Sequence, residues 1–226
     1  WFEVDNIKVT KTISKEFQFK EFPVVRQDKL KNGCFLGVFG PNYINYLSLV
    51  HSLEKKIGKK FSHIMWYEDW RAEFPLATIK KLWDAGYSSH ITWEAWNMET
   101  HEGIKLDEIL SGKWDSYIKE WAQGAKKFGK PLFIRWGHEF NGNWYPWSVP
   151  QNEFDSKKYV KTFQYLHKMF DKYGATNVLW VWCPMNQSFP KDKRNNIIDA
   201  YPGDEYVDWI GIDGYNFGIT PGWSDR

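Results

Sequence analysis

Pro131-Leu132-Phe133-Ile134-Arg135-Trp136 is a short run, apolar on both faces but for one arginine, and Gly137-His138-Glu139 follows it directly. A strand without a polar face needs cover on both sides, which parallel sheets have. Five further runs read the same way: Cys34 to Phe39, Phe61 to Tyr67, Tyr87 to Trp93, Val178 to Cys183 and Asp208 to Asp213. Helical patterns lie between them. Tyr46, Leu47, Val50, Leu53 and Ile57 share one helical face, as do Trp114, Tyr117, Ile118, Trp121, Ala125 and Phe128, and again Tyr159, Val160, Phe163, Leu166 and Phe170. Gly58, Gly86, Gly129 and Gly174 stand at or just past helix ends, where a left-handed cap is often required. Strands alternating with helices predict an α/β fold with a parallel sheet.

Polar and aromatic residues gather where each strand stops: Glu68-Asp69-Trp70, Glu94 to Asn97, His138-Glu139 with Asn141, Asn186-Gln187, and Tyr215-Asn216. A doubly wound sheet concentrates its ligand at one switch point, whereas a (β/α)8 barrel builds its site from many strand ends. The sequence therefore predicts a (β/α)8 TIM barrel over residues 33–226, incomplete because about six strands are legible and the closed fold has eight. Residues 1–10 alternate like a half-buried strand, and residues 11–32 are charged without a helical period. They read either as the last strand of a preceding β-sandwich plus a linker, or as an extension packed across the barrel bottom. The chain opens at Trp1 with no initiator methionine, as expected of a piece processed or excised from a longer protein.

Aromatic residues make up 19% of the chain, with 15 Trp, 12 Tyr and 16 Phe, more than a core of this size needs. Sugar rings have apolar C–H faces and polar rims, so proteins that bind them present flat aromatic faces beside hydrogen-bonding groups. The formal charge is only +2, and pairs such as Lys55-Lys56 and Lys59-Lys60 read as solvated helix surface, so neither nucleic acid nor an anionic membrane is an expected partner. No stretch is long and apolar enough to cross a bilayer, and no signal peptide is legible. Cys34 and Cys183 read as small buried residues, and His51, His63, His90, His101 and His167 have no metal-ligand spacing and read as helix-surface or strand-end residues. No metal or other cofactor is called for.

The densest constellation runs from Arg135 through His138, Glu139, Asn141 and Gly142 to Trp144, Tyr145, Pro146 and Trp147. Glycoside cleavage requires a carboxylic acid beside the leaving oxygen, groups that hold sugar hydroxyls, and flat surfaces for neighbouring rings. This stretch offers all three. Glu139 is the expected acid. Arg135, on the same strand, is its expected electrostatic neighbour, unless the two form a plain salt bridge in a polar interior. Asp69, Trp93 and Glu94 are candidates for sugar subsites, and Trp182, Asn186 and Tyr215 for the cleft floor. Each of these could instead be a structural aromatic or a capped polar group at the rim.

The segment His138-Glu139, Asn141-Gly142 and Trp144 to Trp147 resembles glycoside hydrolase family 26. Ile91-Thr92-Trp93-Glu94 and Gly211-Ile212-Asp213-Gly214-Tyr215 extend the match over roughly residues 33–226. The resemblance implies a (β/α)8 fold and a retaining hydrolase of β-linked polysaccharides. It also implies that Glu139 is the general acid/base, that His138 holds the sugar near the cleavage point, and that Tyr215 touches the nucleophile. That nucleophile, a second glutamate at the end of the seventh strand, is expected beyond Arg226, so the catalytic domain reads as truncated.

The stretch Trp1-Phe2-Glu3-Val4-Asp5-Asn6-Ile7-Lys8-Val9 is similar to the final strand of a carbohydrate-binding module. Mannan-cleaving members usually carry Trp-Phe-Trp-Trp after Asn-Gly and a proline after the strand-four arginine. Here the residues are Trp144-Tyr145-Pro146-Trp147, and Trp136 follows Arg135. This departure moves the expectation from β-1,4-mannan toward mixed-linkage β-1,3-1,4-glucan. Both substrates are extracellular, so secretion is implied. The competing class is a non-catalytic carbohydrate-binding protein on the same scaffold. A sugar isomerase or aldolase would want a metal cluster or a Schiff-base lysine at a strand end, and the sequence offers neither.

Overall fold

A computed structural model of the chain describes residues 34–215. The readings for residues 1–32, and Asn216, lie outside that range. Six parallel strands, β1 (Gly37–Phe39), β2 (His63–Asp69), β3 (Ser88–Glu94), β4 (Leu132–Trp136), β5 (Val178–Trp182) and β6 (Trp209–Ile210), pair in sequence order. An unreversed order is the arrangement of a barrel wall. The helices are α1 (Leu47–Ile57), α2 (Leu76–Asp84), α3 (Leu106–Leu110), α4 (Asp115–Phe128) and α5 (Ser156–Lys172).

Local sequence accounts for three of the helix ends. Asp155 caps α5 by accepting a hydrogen bond from the Lys158 N–H at 3.1 Å. Gly58 and Gly129 close α1 and α4 in the left-handed conformation, at φ 65° and 68°. The short α2 and α3 escaped the sequence reading because one or two turns bury only a pair of residues each, Ile79 and Leu82 in one, Leu106 and Ile109 in the other. Tyr46 and Ile57, expected on the buried face of α1, lie at its ends and are exposed. Cys34 is likewise exposed, whereas Cys183 is buried as expected. β2 and β3 continue through Asp69 and Glu94, which an apolar-run reading leaves to the loops. β6 has only two paired residues, and Asp213 adds a single bridge to Met185.

The sheet curls. Phe133 on β4 touches Trp209 on β6, at 5.7 Å between ring centroids, and His63 on β2 lies 6.1 Å from Phe133, each contact skipping the strand between. His63, at the start of β2 as a strand-end reading has it, and His90, Thr92, Phe133 and Arg135 therefore share the concave face, with His90 inside β3 and not at its end. Alternation sends their neighbours to the convex face. There Trp93 stacks on Trp121 and Tyr117 of α4, Trp136 on Tyr159 of α5, and Trp180 packs against Phe163 and Phe170. Much of the aromatic excess thus fills the layer between sheet and helices.

Candidate active site

Beyond β4 the backbone changes hand twice. Gly137 has φ 65°, and a β-carbon there would sit 2.8 Å from the Tyr159 ring, whose hydroxyl donates to the Gly137 carbonyl at 2.9 Å. Glu139 is also left-handed, at φ 50°. A side chain in that region costs about 1–3 kcal/mol, and such residues persist where surrounding contacts over-determine them. Here the Glu139 N–H donates to the Cys183 carbonyl at 2.8 Å, and its own carbonyl accepts from Gly142 N–H at 2.8 Å. The turn breaks the strand's alternation and aims Glu139 into the cleft at the C-terminal ends of the strands.

The Glu139 side chain is largely withdrawn from water, and burial raises its carboxyl above the usual range. The Trp144 indole N–H, donating to Oε2 at 2.8 Å, works against that rise, as do the Arg135 charge and a hydrogen bond from the Tyr215 hydroxyl. Arg135 does not pair with Glu139. Its guanidinium donates to both oxygens of Asp213, at 2.7 and 2.8 Å, and to Thr92 Oγ1 at 3.0 Å. The plain Arg–Glu salt bridge left open by the sequence is therefore absent, because the curl of the sheet brings Asp213 to the arginine first. With Arg135 neutralised by Asp213, burial prevails at Glu139 and the net shift is upward.

Trp144→Phe keeps a ring but removes the N–H that favours the ionised form. The basic limb of the kcat/KM–pH profile is expected to move to higher pH, because the acid holds its proton longer. Below that limb the loss should stay within about tenfold, one hydrogen bond's worth. A profile that does not move would show that this contact has no influence on the acid.

His138 is buried beside the acid, and desolvation together with the Arg135 charge lowers its pKa well below 6.5, so the imidazole is neutral. Its carbonyl accepts from Trp147 Nε1 at 2.8 Å. Glu94 lies 3.7 Å from His138 Nε2, beyond hydrogen-bond reach, and accepts instead from Trp96 Nε1 at 3.0 Å. Burial raises Glu94 from 4.5 to about 7. A raised carboxyl means that the folded state binds more protons than the unfolded state between those values, so stability falls as pH climbs from 4.5 to 7. Glu94→Gln, which still accepts from Trp96, is expected to flatten that slope. It should raise stability at pH 8 by on the order of 2–3 kcal/mol while changing little at pH 4. Denaturation at the two pH values checks this, and equal effects at both would remove Glu94 as the cause.

Of the residues proposed as sugar contacts, the structure brings Arg135, His138, Glu139, Trp144 and Tyr215 together and leaves Asn186 exposed at the rim, its N–H donating to the Asp213 carbonyl. Four others require correction. Trp93 and Trp182 have the wrong parity and point into the helix layer, where Trp182 stacks on Phe140 and donates to the Ala200 carbonyl. Trp147 is fully buried beneath Tyr145, with ring centroids 4.5 Å apart, and supports the site from below. Asp69 is occupied by the Arg71 guanidinium at 2.7 Å and by the Met98 N–H at 3.1 Å, so it anchors loops. The sequence reading passed over Tyr67 and Tyr145. Tyr67 shares the inward parity of His63 and hydrogen-bonds Arg135, a position that alternation alone would have found. The Tyr145 ring lies 4.7 Å from that of His138, but nothing in the sequence distinguishes it from Trp144.

Among the described residues no group of three or more His, Cys, Asp or Glu side chains could hold a metal ion, and no helix is long and apolar enough to cross a membrane. The site's resources are a carboxyl raised by burial, a neutral imidazole, an arginine–aspartate pair and open aromatic surface.

Comparison with known proteins gives the same outline. The chain is 32% identical over 185 residues to Endoglucanase H of Acetivibrio thermocellus, covering 79% of this chain and 19% of that protein. It is 32% identical over 123 residues to a mannan endo-1,4-beta-mannosidase of Bacillus subtilis, covering 51% of this chain and 31% of that one. It thus spans less than a third of either relative. A solved Bacillus subtilis mannanase superposes with a TM-score of 0.60 at 19% identity, over 87% of this chain and 67% of its own, and shares the barrel fold. The description Glycosyl hydrolase family 26 matches residues 48–223, and the chain belongs to that family.

Proposed function

We propose that the full-length protein is an endo-acting hydrolase of plant cell-wall β-glycans, that it retains anomeric configuration, and that Glu139 is its general acid/base. The observation that carries this reading is the state of Glu139. It is a buried carboxyl raised by desolvation, aimed by a left-handed turn to the C-terminal end of β4, with an indole N–H on one oxygen. In the first step Glu139 gives its proton to the leaving glycosidic oxygen while a second carboxylate attacks the anomeric carbon and forms a glycosyl ester. In the second step Glu139 takes a proton from water, whose oxygen attacks the same carbon and releases the carboxylate. Glu94, Asp69 and Asp213 are each committed, to Trp96, Arg71 and Arg135 respectively, which favours a nucleophile outside the described residues.

Mixed-linkage β-1,3-1,4-glucan is the first choice of substrate and β-1,4-mannan the second. The departures at Trp136 and at Tyr145-Pro146 support that order, as does the longer match to an endoglucanase than to a mannosidase. Either polymer implies a secreted enzyme, and an attached carbohydrate-binding module would suit an insoluble substrate. The test is digestion of barley β-glucan, mannan, xylan and cellulose by the full-length protein, with the anomeric form of the first product followed by NMR. Release of β-anomeric oligosaccharides from glucan or mannan supports the reading. Inversion overturns the mechanism, and binding without any release favours a non-catalytic binder.

A further inference from the structure

Besides Tyr215, Trp144 at the acid and its neighbour Phe189 are left open. Trp144 is 43% exposed and Phe189 48%, whereas most large rings among the described residues are buried or half-buried. Their planes are within 29° of parallel and their centroids 6.3 Å apart, too far for one to cover the other, so each keeps a free surface. Gly142 explains how Trp144 lies: a β-carbon there would fall 2.3 Å from the indole, so the ring rests against bare backbone while its N–H reaches Glu139.

Phe189 is held as firmly, although it comes from the loop after β5. Its N–H donates to the Asn141 carbonyl at 2.8 Å. The Asn141 side chain bonds both the N–H and the carbonyl of Met185, at 2.8 and 2.9 Å. The buried Asn195 closes the far side by donating to the carbonyls of Asn141 and Pro190. One asparagine, two residues past the acid, thus fixes both the acid's turn and the loop that carries Phe189. An apolar ring kept in water on so rigid a support loses little freedom when something flat settles on it.

We propose that Trp144 and Phe189 form a continuous two-ring platform for the leaving-group side of the polysaccharide, with Phe189 binding the second sugar beyond the cleaved bond. This rests on the hydrolase reading above. The direction follows from Glu139: its proton goes to the leaving oxygen, and the indole that touches it abuts the leaving sugar. The spacing of the two rings is comparable with one pyranose step along a β-linked chain. Each sugar presents an apolar C–H face to its ring, and Phe189, with no polar atom of its own, selects for ring shape over hydroxyl pattern. It therefore serves glucan and mannan alike.

The experiment compares Phe189→Ala, Phe189→Leu and Phe189→Tyr with the parent full-length protein on reducing-end-labelled gluco- and manno-oligosaccharides of three to six residues. Phe189→Ala and Phe189→Leu should lower kcat/KM on the hexasaccharide about 2- to 10-fold, the stacking contribution of one ring, and leave the trisaccharide nearly unchanged. The labelled product should shift from disaccharide toward monosaccharide as the second leaving-group contact is lost. Phe189→Tyr, which keeps a flat face, should restore both. Loss that is equal at every length, full activity of the leucine variant, or an unshifted product pattern overturns the platform. Should the parent cleave neither series, the hydrolase reading fails separately. Calorimetric binding of hexasaccharide against disaccharide then decides the platform, and unchanged hexasaccharide affinity in Phe189→Ala rejects it.

Discussion

Glu139→Gln in the full-length protein is expected to lower kcat/KM on polysaccharide by about 10² to 10⁴ while leaving substrate affinity nearly intact. The amide has the carboxyl's shape, its oxygen can still accept from Trp144 Nε1, and the left-handed turn that aims it is fixed by backbone hydrogen bonds untouched by the change. What it lacks is a proton to give a sugar alkoxide, and general acid catalysis is worth about that factor. An aryl glycoside with an acidic phenol leaves without help, so the first step on such a substrate should largely survive. Accumulation of the glycosyl ester would then show that water is no longer activated. Activity on polysaccharide within a few-fold of the parent would remove Glu139 from the role.

Trp93→Ala is expected to destabilise the fold by about 3–5 kcal/mol, the range for emptying a large buried aromatic site. Trp93 has no exposed surface and stacks between Trp70 and Trp121, with centroids 4.8 and 4.7 Å away, and its N–H donates to the Tyr117 hydroxyl at 3.1 Å. Truncation leaves a cavity in a layer of rigid rings that cannot easily collapse, and takes one hydrogen bond from a tyrosine hydroxyl that still donates to the Ala72 carbonyl at 3.1 Å. The same substitution would barely change stability if Trp93 were a cleft platform. Denaturant midpoints decide between the two: a loss below about 1 kcal/mol with weakened oligosaccharide binding would return Trp93 to the cleft.

The two substitutions fall on residues that the sequence treats alike, since both stand at strand ends among aromatic and acidic neighbours. The strands were legible because short runs apolar on both faces recur between helical patterns, and the cluster around Glu139 because His138-Glu139 lies in a dense polar and aromatic stretch. Trp93 and Trp182 were misassigned because proximity to Glu94 or to Asn186 was allowed to outweigh parity. A residue next to an inward side chain on a strand points outward. The partner of Arg135 was beyond reach for another reason: no local pattern ties it to Asp213, and only the curl of the sheet does. The platform residue Phe189 lies in a loop whose course depends on hydrogen bonds to Asn141, and those bonds have no periodicity to read.

The bond between Arg135 and Asp213 closes a loop of 78 residues. On a ribosome that adds about 5–20 residues per second, the arginine waits roughly 4–16 s for its aspartate. In the folded site the Arg135 charge favours ionisation of Glu139 and the Asp213 charge opposes it. Until the sixth strand pairs, the site lacks both the ion-pair partner of Arg135 and the negative charge that helps to raise Glu139.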